Sequence, residues 1–326
     1  MTSGLRVGIA GVGAMGARHA EAVLDAGGSI AAALARPGSP RAASFVERFG
    51  VATTHDDVRS FAAAAEDWDA IIVAVATEAA AEMLPALVPT GVPLLIEKPG
   101  ATTSDQLTPF LDASARILVG YNRRFYAPVR AARRFVRDGN PVIATLTLPE
   151  KLSVVDGAVD PRPFLENAVH ALDLLRHLLG PLEVASVSAT PGATTPGLVA
   201  TLTSDRGDVV SLVSAWGTPA NFALDLARGA ARFELRPFEV GRRFEGMTVQ
   251  PPEPGIPIKR YLPTVTEQIS LEPEDERCKP GFRQQIDALG ALVAGEPTPV
   301  AARLVDAVAA LRLAETLLRD AQGHDD

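Results

Sequence analysis

Leu5-Arg6-Val7-Gly8-Ile9-Ala10-Gly11-Val12-Gly13-Ala14-Met15-Gly16 is the stretch that decides the fold. Its first half is a short apolar run, the mark of a buried strand. Its second half is a G-x-G-x-x-G that opens a helical pattern over Ala14–Ala26. Strand, glycine turn and helix in that order are the context in which the string signals a dinucleotide site. Gly11 permits the tight turn, Gly13 lets a pyrophosphate approach the backbone, and Gly16 lets helix and strand pack closely. Ala14 and Met15, in the first helical turn, supply free N–H groups and the positive end of the helix dipole.

Working outward, the same alternation repeats. Leu5–Ala10, Ile30–Ala35, Ala70–Val75, Leu94–Ile96 and Ile117–Val119 read as buried parallel strands. Helices are predicted at Ala14–Ala26, Pro40–Phe49, Asp56–Ala65, Glu78–Val88 and Ser104–Ala113. This is an α/β pattern, a doubly wound Rossmann sheet with right-handed crossovers. After Tyr121 the pattern changes. A helix over Ala127–Arg137, a strand at Val142–Leu148 and a long helix from Pro163 to Leu179 lead into a run of strands. Those strands are Glu183–Ala189, Leu198–Thr203, Asp208–Ala215, Phe222–Ala227 and Ala231–Leu235. Helices at Phe282–Ala294 and Ala301–Arg319 close the chain. The expected division is a nucleotide-binding domain at 1–121 and an α+β domain at 122–326 with a large, open, mostly antiparallel sheet. An open sheet of that kind commonly buries its free face in a partner subunit, so a homodimer or homotetramer through this sheet is expected.

Composition narrows the function classes. The 326 residues carry 31 Lys+Arg against 39 Asp+Glu, a net charge of −8. That balance opposes nucleic-acid binding, which wants a basic surface. No stretch approaches the roughly 18 apolar residues that span a membrane, and the start of the chain has no secretory pattern; a cytoplasmic protein is expected. Cys278 is the one cysteine. It excludes internal disulfides and cysteine-built metal clusters, and Asp275-Glu276-Arg277-Cys278-Lys279-Pro280 reads as an exposed loop with an incidental thiol. There is no metal-ligand spacing, nucleophile elbow or P-loop.

The end of the second strand separates the two nicotinamide cofactors. An acid there would bind the ribose 2′-hydroxyl of NAD. Here the residues are Ala33-Leu34-Ala35-Arg36-Pro37-Gly38-Ser39-Pro40-Arg41, with no acid. Arg36, Ser39 and Arg41 could hold a 2′-phosphate, arginine as a bidentate donor. NADP(H) is therefore favoured over NAD(H); the bland alternative is a solvated surface arginine.

Further along, Glu97-Lys98-Pro99 follows the fifth strand, where side chains reach the ligand crevice of such a sheet. Glu166, His170 and Asp173 stand at i, i+4 and i+7 of one predicted helix and so share a face. With the glycine motif, Glu97-Lys98-Pro99 resembles the glucose–fructose oxidoreductase, inositol dehydrogenase and rhizopine catabolism (Gfo/Idh/MocA) family. Gly120-Tyr121-Asn122-Arg123-Arg124-Phe125, Asn167-Ala168-Val169-His170-Ala171-Leu172-Asp173 and Lys279-Pro280-Gly281-Phe282 resemble further segments of it, in order.

The resemblance implies an NAD(P)-dependent enzyme acting on a secondary alcohol of a sugar, sugar derivative or cyclitol. Lys98, His170 and Glu166 are then the catalytic candidates. His170 takes the hydroxyl proton and Lys98 stabilises the alkoxide, a lysine at such a site serving as donor or acid/base. Cofactor contacts extend to Ala76, Thr77, Glu97, Lys98 and Asn122. Substrate contacts are expected from Lys98, Arg124, Tyr126, Lys151, Arg162, Asn167 and His170. Two departures stand out. Glu166 takes a position usually held by aspartate, and Thr77-Glu78-Ala79 lacks the family's Pro and His. They leave two alternatives open: a non-catalytic NAD(P)-binding regulator, and a reductase of an imine or other non-sugar substrate.

Overall fold

The apolar runs at the start of the chain form the strands of a parallel sheet, as a computed structural model of the protein shows. It describes residues 4–137, 139–155, 158–190 and 197–322. β1 (Arg6–Ala10), α1 (Ala14–Asp25), β2 (Ser29–Leu34), α2 (Ala42–Phe49), β3 (Thr53–His55) and α3 (Val58–Ala63) make the first half. β4 (Ala70–Val73), α4 (Thr77–Leu87), β5 (Leu94–Ile96) and β6 (Ile117–Val119) make the second. Strand interiors such as Val7, Ile9, Ile71, Ile72 and Ile96 have no exposed surface. These strands bury both faces under helices, so they read as continuous apolar runs.

The register aligns the strand ends. Ala10 pairs in register with Leu34 and Val73, Val73 with Ile96, and Ile96 with Val119. Gly11, Ala35, Ala74, Glu97 and Gly120 therefore leave the sheet at one level. The strand order β6-β5-β4-β1-β2-β3 reverses direction between β1 and β4. A ligand crevice is expected at the carboxyl ends beside that switch point.

The chain continues through α5 (Ala127–Arg137), β7 (Ile143–Glu150) and a short hairpin, β8 (Val154–Val155) with β9 (Ala158–Val159). A π-helical turn, Phe164–Ala168, leads into α6 (Val169–Leu179). Then come β10 (Leu182–Ala189), β11 (Gly197–Ser204), β12 (Val209–Trp216), β13 (Ala223–Arg228), β14 (Ala231–Leu235), β15 (Gly241–Gln250) and β16 (Arg260–Ile269). With β7 they form an eight-stranded sheet, order β10-β11-β12-β7-β13-β14-β15-β16. It is antiparallel except where β12 runs parallel to β7. Leu146, Leu202, Leu212 and Leu224 point to its buried face. On the other face Ile143 sits opposite Val209, and Val199 opposite Val213, all four exposed.

Finally α7 (Phe282–Val293), β17 (Ala302–Arg303) and α8 (Leu304–Gln322) follow, and β17 adds antiparallel to the free edge of β6. The chain thus divides into two compact units. One comprises Met1–Phe125 with Glu272–Glu315, the other Tyr126–Leu271 with Thr316–Asp326. The expected boundary at 121/122 lies close to the first crossing; the return of Glu272–Glu315 to the nucleotide unit was not anticipated.

Two predicted helices differ from what forms. Ser104–Ala113 is two 3-10 segments, Ser104–Gln106 and Thr108–Arg116. Pro109 has no N–H to donate to the carbonyl four residues back, which disfavours one continuous α-helix over the segment. The helix predicted from Pro163 starts as the π turn, with i→i+5 spacing, before becoming α-helical at Val169.

Candidate functional site

The three motif glycines have three different reasons to be glycine. Gly11 has φ +108°, and a Cβ there would lie 2.3 Å from the Ala74 carbonyl oxygen. A Cβ on Gly16 would lie 1.9 Å from the Gly11 oxygen. Both are therefore excluded by the protein's own backbone. Gly13 is not: its φ is −82° and a Cβ would meet nothing within 4 Å. The space it keeps open lies over the start of α1, where phosphate oxygens are held by helix N–H groups. The residues present fit a dinucleotide.

From this turn a cleft of about 550 Å³ runs past the end of β2. Gly11, Val12 and Gly13 line one side; Arg36, Ser39 and Arg41 another; Ala74, Ala76 and Ala79 a third. Every candidate 2′-phosphate residue thus faces one cavity. Asp56, which follows β3, and Glu82 on α4 line it too. Thr77 is the first residue of α4, capped by Ala76.

At the other end of the strip Glu97 leaves β5 almost wholly sheltered, its side chain 11% exposed. The fully buried His19, on α1, places Nε2 2.7 Å from Glu97 Oε1. A carboxylate only accepts, so Nε2–H is the donor. The His19 ring packs on Phe282 of α7, centroids 4.5 Å apart. Burial pushes the Glu97 carboxyl up, but the hydrogen bond and charge of His19, with the charges of Lys279 and Lys98, overcome it and hold the group below the usual carboxylate range. Lys279 Nζ lies 3.3 Å from Met15 Sδ and 4.7 Å from the Phe282 ring centre. Burial lowers its ammonium pKa, and Glu97 only partly offsets this. Lys98 follows Glu97, half-buried, and its bond to Pro99 is cis.

Asn122 is buried and donates from Nδ2 to the Pro280 carbonyl at 2.8 Å, tying the segment after β6 to the turn before α7. Arg124 is also buried, its guanidinium 3.5 Å from Asp306. Cys278 corrects an expectation. It is 7% exposed and belongs to the hydrophobic core of the nucleotide unit, because the turn Lys279–Phe282 pulls it beneath α1 and α7. Burial raises its thiol pKa, and a raised pKa disfavours the nucleophilic thiolate.

The second unit carries the remaining candidates. Glu166 and Asn167 lie in the π turn, and His170 and Asp173 in the first turns of α6, 9% and 1% exposed. Asn167 Nδ2 donates to Glu150 Oε2 at 3.1 Å. Tyr126 is buried and Lys151 exposed. Arg162 grips Asp160 through Nε at 2.9 and 3.0 Å, a bond that holds the Asp160 carboxyl below its ordinary range.

Sequence reading missed His19, Asp56 and Glu82, and met Lys279 only as part of a closing segment. His19 had a signal: it falls on the same helical stripe as Gly16, Ala20 and Val23, all buried. Asp56 and Glu82 had none, since only the fold brings them to the cleft. Among the described residues no group of three or more His, Cys, Asp or Glu could hold a metal ion. No helix among them is long and apolar enough to cross a membrane.

Residues 5–116 match the profile of the GFO_IDH_MocA family, described as an oxidoreductase family with an NAD-binding Rossmann fold. Over those residues the chain is similar to the Gfo/Idh/MocA oxidoreductases. Proteins similar to it include inositol 2-dehydrogenase 2 of Saccharopolyspora erythraea, 30% identical over 57% of this chain and 57% of that protein. Inositol 2-dehydrogenase of Corynebacterium glutamicum strain R is 29% identical over 55% of this chain and 56% of its own. The chain therefore spans little more than half the length of these relatives. Among solved structures, the Lactobacillus casei myo-inositol dehydrogenase in complex with NAD(H) and myo-inositol superposes with a TM-score of 0.72 at 19% identity, covering 99% and 95% of the two chains. A dehydrogenase from Chromobacterium violaceum gives 0.79 at 21% identity, covering 98% and 96%. These two likenesses are of fold.

Proposed function

We propose that this chain is a Gfo/Idh/MocA oxidoreductase, NADP(H)-dependent and acting between a secondary alcohol and a ketone carbon of a sugar, sugar derivative or cyclitol. The cleft carries the reading. Arg36, Ser39 and Arg41 line it just after β2, where an acid would suit a free ribose 2′-hydroxyl. The names of the relatives, inositol 2-dehydrogenases, point the substrate toward polyols.

The nicotinamide cofactor, when bound, supplies hydride exchange; the protein supplies orientation and charge. In the oxidising direction His170 accepts the hydroxyl proton, histidine being the natural acceptor near neutral pH. Lys98 donates to the oxygen as negative charge develops on it. Glu97, clamped by His19, fixes the backbone from which Lys98 projects. Glu166 orients His170 or meets a substrate hydroxyl. Asn167, Tyr126, Lys151 and Arg162 serve substrate, while Arg124 serves the fold through Asp306. Gly13, Ala14, Met15, Ala76, Thr77 and Asn122 take the cofactor's phosphates and nicotinamide side.

One observation favours a second reading. Asp56 lines the same cleft and would prefer the uncharged ribose of NAD(H). Thermal shift with NADPH and NADH separates the two, because a ligand of the folded state raises the melting temperature with its affinity. The expected result is a larger shift with NADPH that collapses in Arg36→Ala. Preference for NADH, unchanged in that variant, favours Asp56. No shift with either cofactor overturns the oxidoreductase reading.

The exposed sheet face completes the proposal. Cross-strand apolar neighbours, Ile143 with Val209 and Val199 with Val213, form the kind of patch that marks an interface, and a second copy of the chain is the occupant. Gel filtration giving an oligomer, and a monomer for Ile143→Glu with Val213→Glu, supports this; a monomeric wild type overturns it.

A further inference from the structure

Lys279 is a half-buried ammonium without an oxygen partner among the described residues. Among the described residues its one hydrogen bond goes to the thioether of Met15, a weak acceptor. It also lies over the face of Phe282. Glu97 acts on it only at longer range, and that carboxylate is already engaged by His19. Other cations crowd in: Arg123 and Arg18 both act to drive off the proton of Lys279, although Arg18 is also paired with Glu21 at 3.0 Å.

The position is built, not incidental. The turn that presents Lys279 is closed by Phe282 N–H on the Lys279 carbonyl at 3.0 Å and by Gly281 N–H on Asp275 Oδ1 at 2.9 Å. Gly281 has φ +78°, and a Cβ on it would stand 2.3 Å from the Asn122 carbonyl oxygen. So the turn lies flat against the segment after β6 and aims its lysine at the first turn of α1. Met15, the residue it touches, stands between the second and third motif glycines, beside the opening kept by Gly13. An excess of positive charge, an ammonium short of acceptors and a free helix N-terminus meet at one place. Their common complement is an anion.

We propose that Lys279 is a cofactor-anchoring residue, donating to the pyrophosphate of the bound dinucleotide at the first turn of α1. The proposal rests on the dinucleotide reading of the cleft and adds to the glycine motif a cation from near the far end of the sequence. A charge-assisted hydrogen bond is roughly twice as strong as a neutral one.

Lys279→Met keeps the length and apolar stem and removes the charge. Calorimetric titration would use three probes: NADPH, 2′-phospho-ADP-ribose, which keeps the pyrophosphate, and adenosine 2′-monophosphate, which has none. If the wild type prefers NADH, the series becomes NADH, ADP-ribose and adenosine. The expected result is a loss of about tenfold for the first two probes and none for the third. Lys279→Arg should keep most of the affinity, and the ligand-free melting temperature of Lys279→Met should stay within about 2 °C of wild type. Unchanged affinity for the pyrophosphate probes overturns the proposal. So does a loss confined to the full dinucleotide, which would place Lys279 at the nicotinamide. A loss on all three probes, or a marked fall in ligand-free stability, makes Lys279 a packing residue and overturns it as well. A wild type that binds no dinucleotide overturns the parent reading, an outcome distinct from a binding wild type whose Lys279→Met variant binds equally.

Discussion

The two ends of the crevice hold their charges in opposite ways. At the β2 end, Arg36 and Arg41 are exposed and make no ion pair among the described residues. At the β5 end, Glu97 and His19 are buried against each other, with Lys279 half-buried nearby. An exposed charge contributes little to folding and is available to a ligand. A buried pair is part of the fold, and removing one member strands the other. Substitution should therefore separate ligand binding from stability at the first end and mix them at the second.

The motif glycines offer the largest test of that contrast. Gly16→Ala would force a Cβ to 1.9 Å from a backbone oxygen, and a loss of about 4 kcal/mol or more is expected, read by urea unfolding without ligand. Gly13→Ala should leave that unfolding curve unchanged and weaken dinucleotide binding alone; a destabilised Gly13→Ala would mean the open space is not a ligand's. Next in size is Glu97→Ala, which leaves the His19 donor buried without its acceptor and should cost about 3 kcal/mol. Glu97→Gln keeps an acceptor oxygen and should lose less. If Glu97→Ala melts like wild type, the buried pair is not structural.

Arg36→Ala is expected to shift ligand-free stability by no more than about 0.5 kcal/mol while NADPH affinity falls about tenfold. The smallest effect concerns pH. The Glu97 carboxyl is held below its ordinary range in the folded protein, so its stabilising share is complete above an unfolded value of about 4.3. It drains away as pH falls through the lower, folded value. The melting-temperature gap between wild type and Glu97→Gln should therefore narrow below about pH 4; a gap that widens on acidification would reverse the sign.

Much of the nucleotide unit was legible because its strands are apolar without interruption and its glycines are punctuation. β1, β2, β4, β5 and β6 lie within a residue or two of their predicted places. β3 escaped notice because Thr53-Thr54-His55 is polar and mostly exposed. The open sheet was legible only as far as β14. β15 and β16 are exposed along most of their length, on both faces, so no period-two pattern was written into them; Pro263 sits in β16, the edge strand, where a missing N–H is tolerated. Of the cleft lining, Arg36, Ser39 and Arg41 were legible from their place just after the second strand. The bond between His19 and Glu97, 78 residues apart, depends on α1 packing over the carboxyl end of the sheet, and local sequence does not encode that. Cys278 was misplaced for a related reason: its charged neighbours Asp275, Glu276 and Arg277 look like a loop, and only the turn after it brings the thiol inward.

The return of the chain to its first unit has a consequence for synthesis. When the first 125 residues have left a ribosome, the edge of β6 still lacks β17, the ring of His19 lacks Phe282, and Ser104 lacks the Glu315 carboxylate that accepts from its N–H and hydroxyl at 2.7 Å. The glycine turn is translated well before the segment that finishes its unit. A nascent chain lacking Glu272–Glu315 would carry the nucleotide motif on an unsealed core.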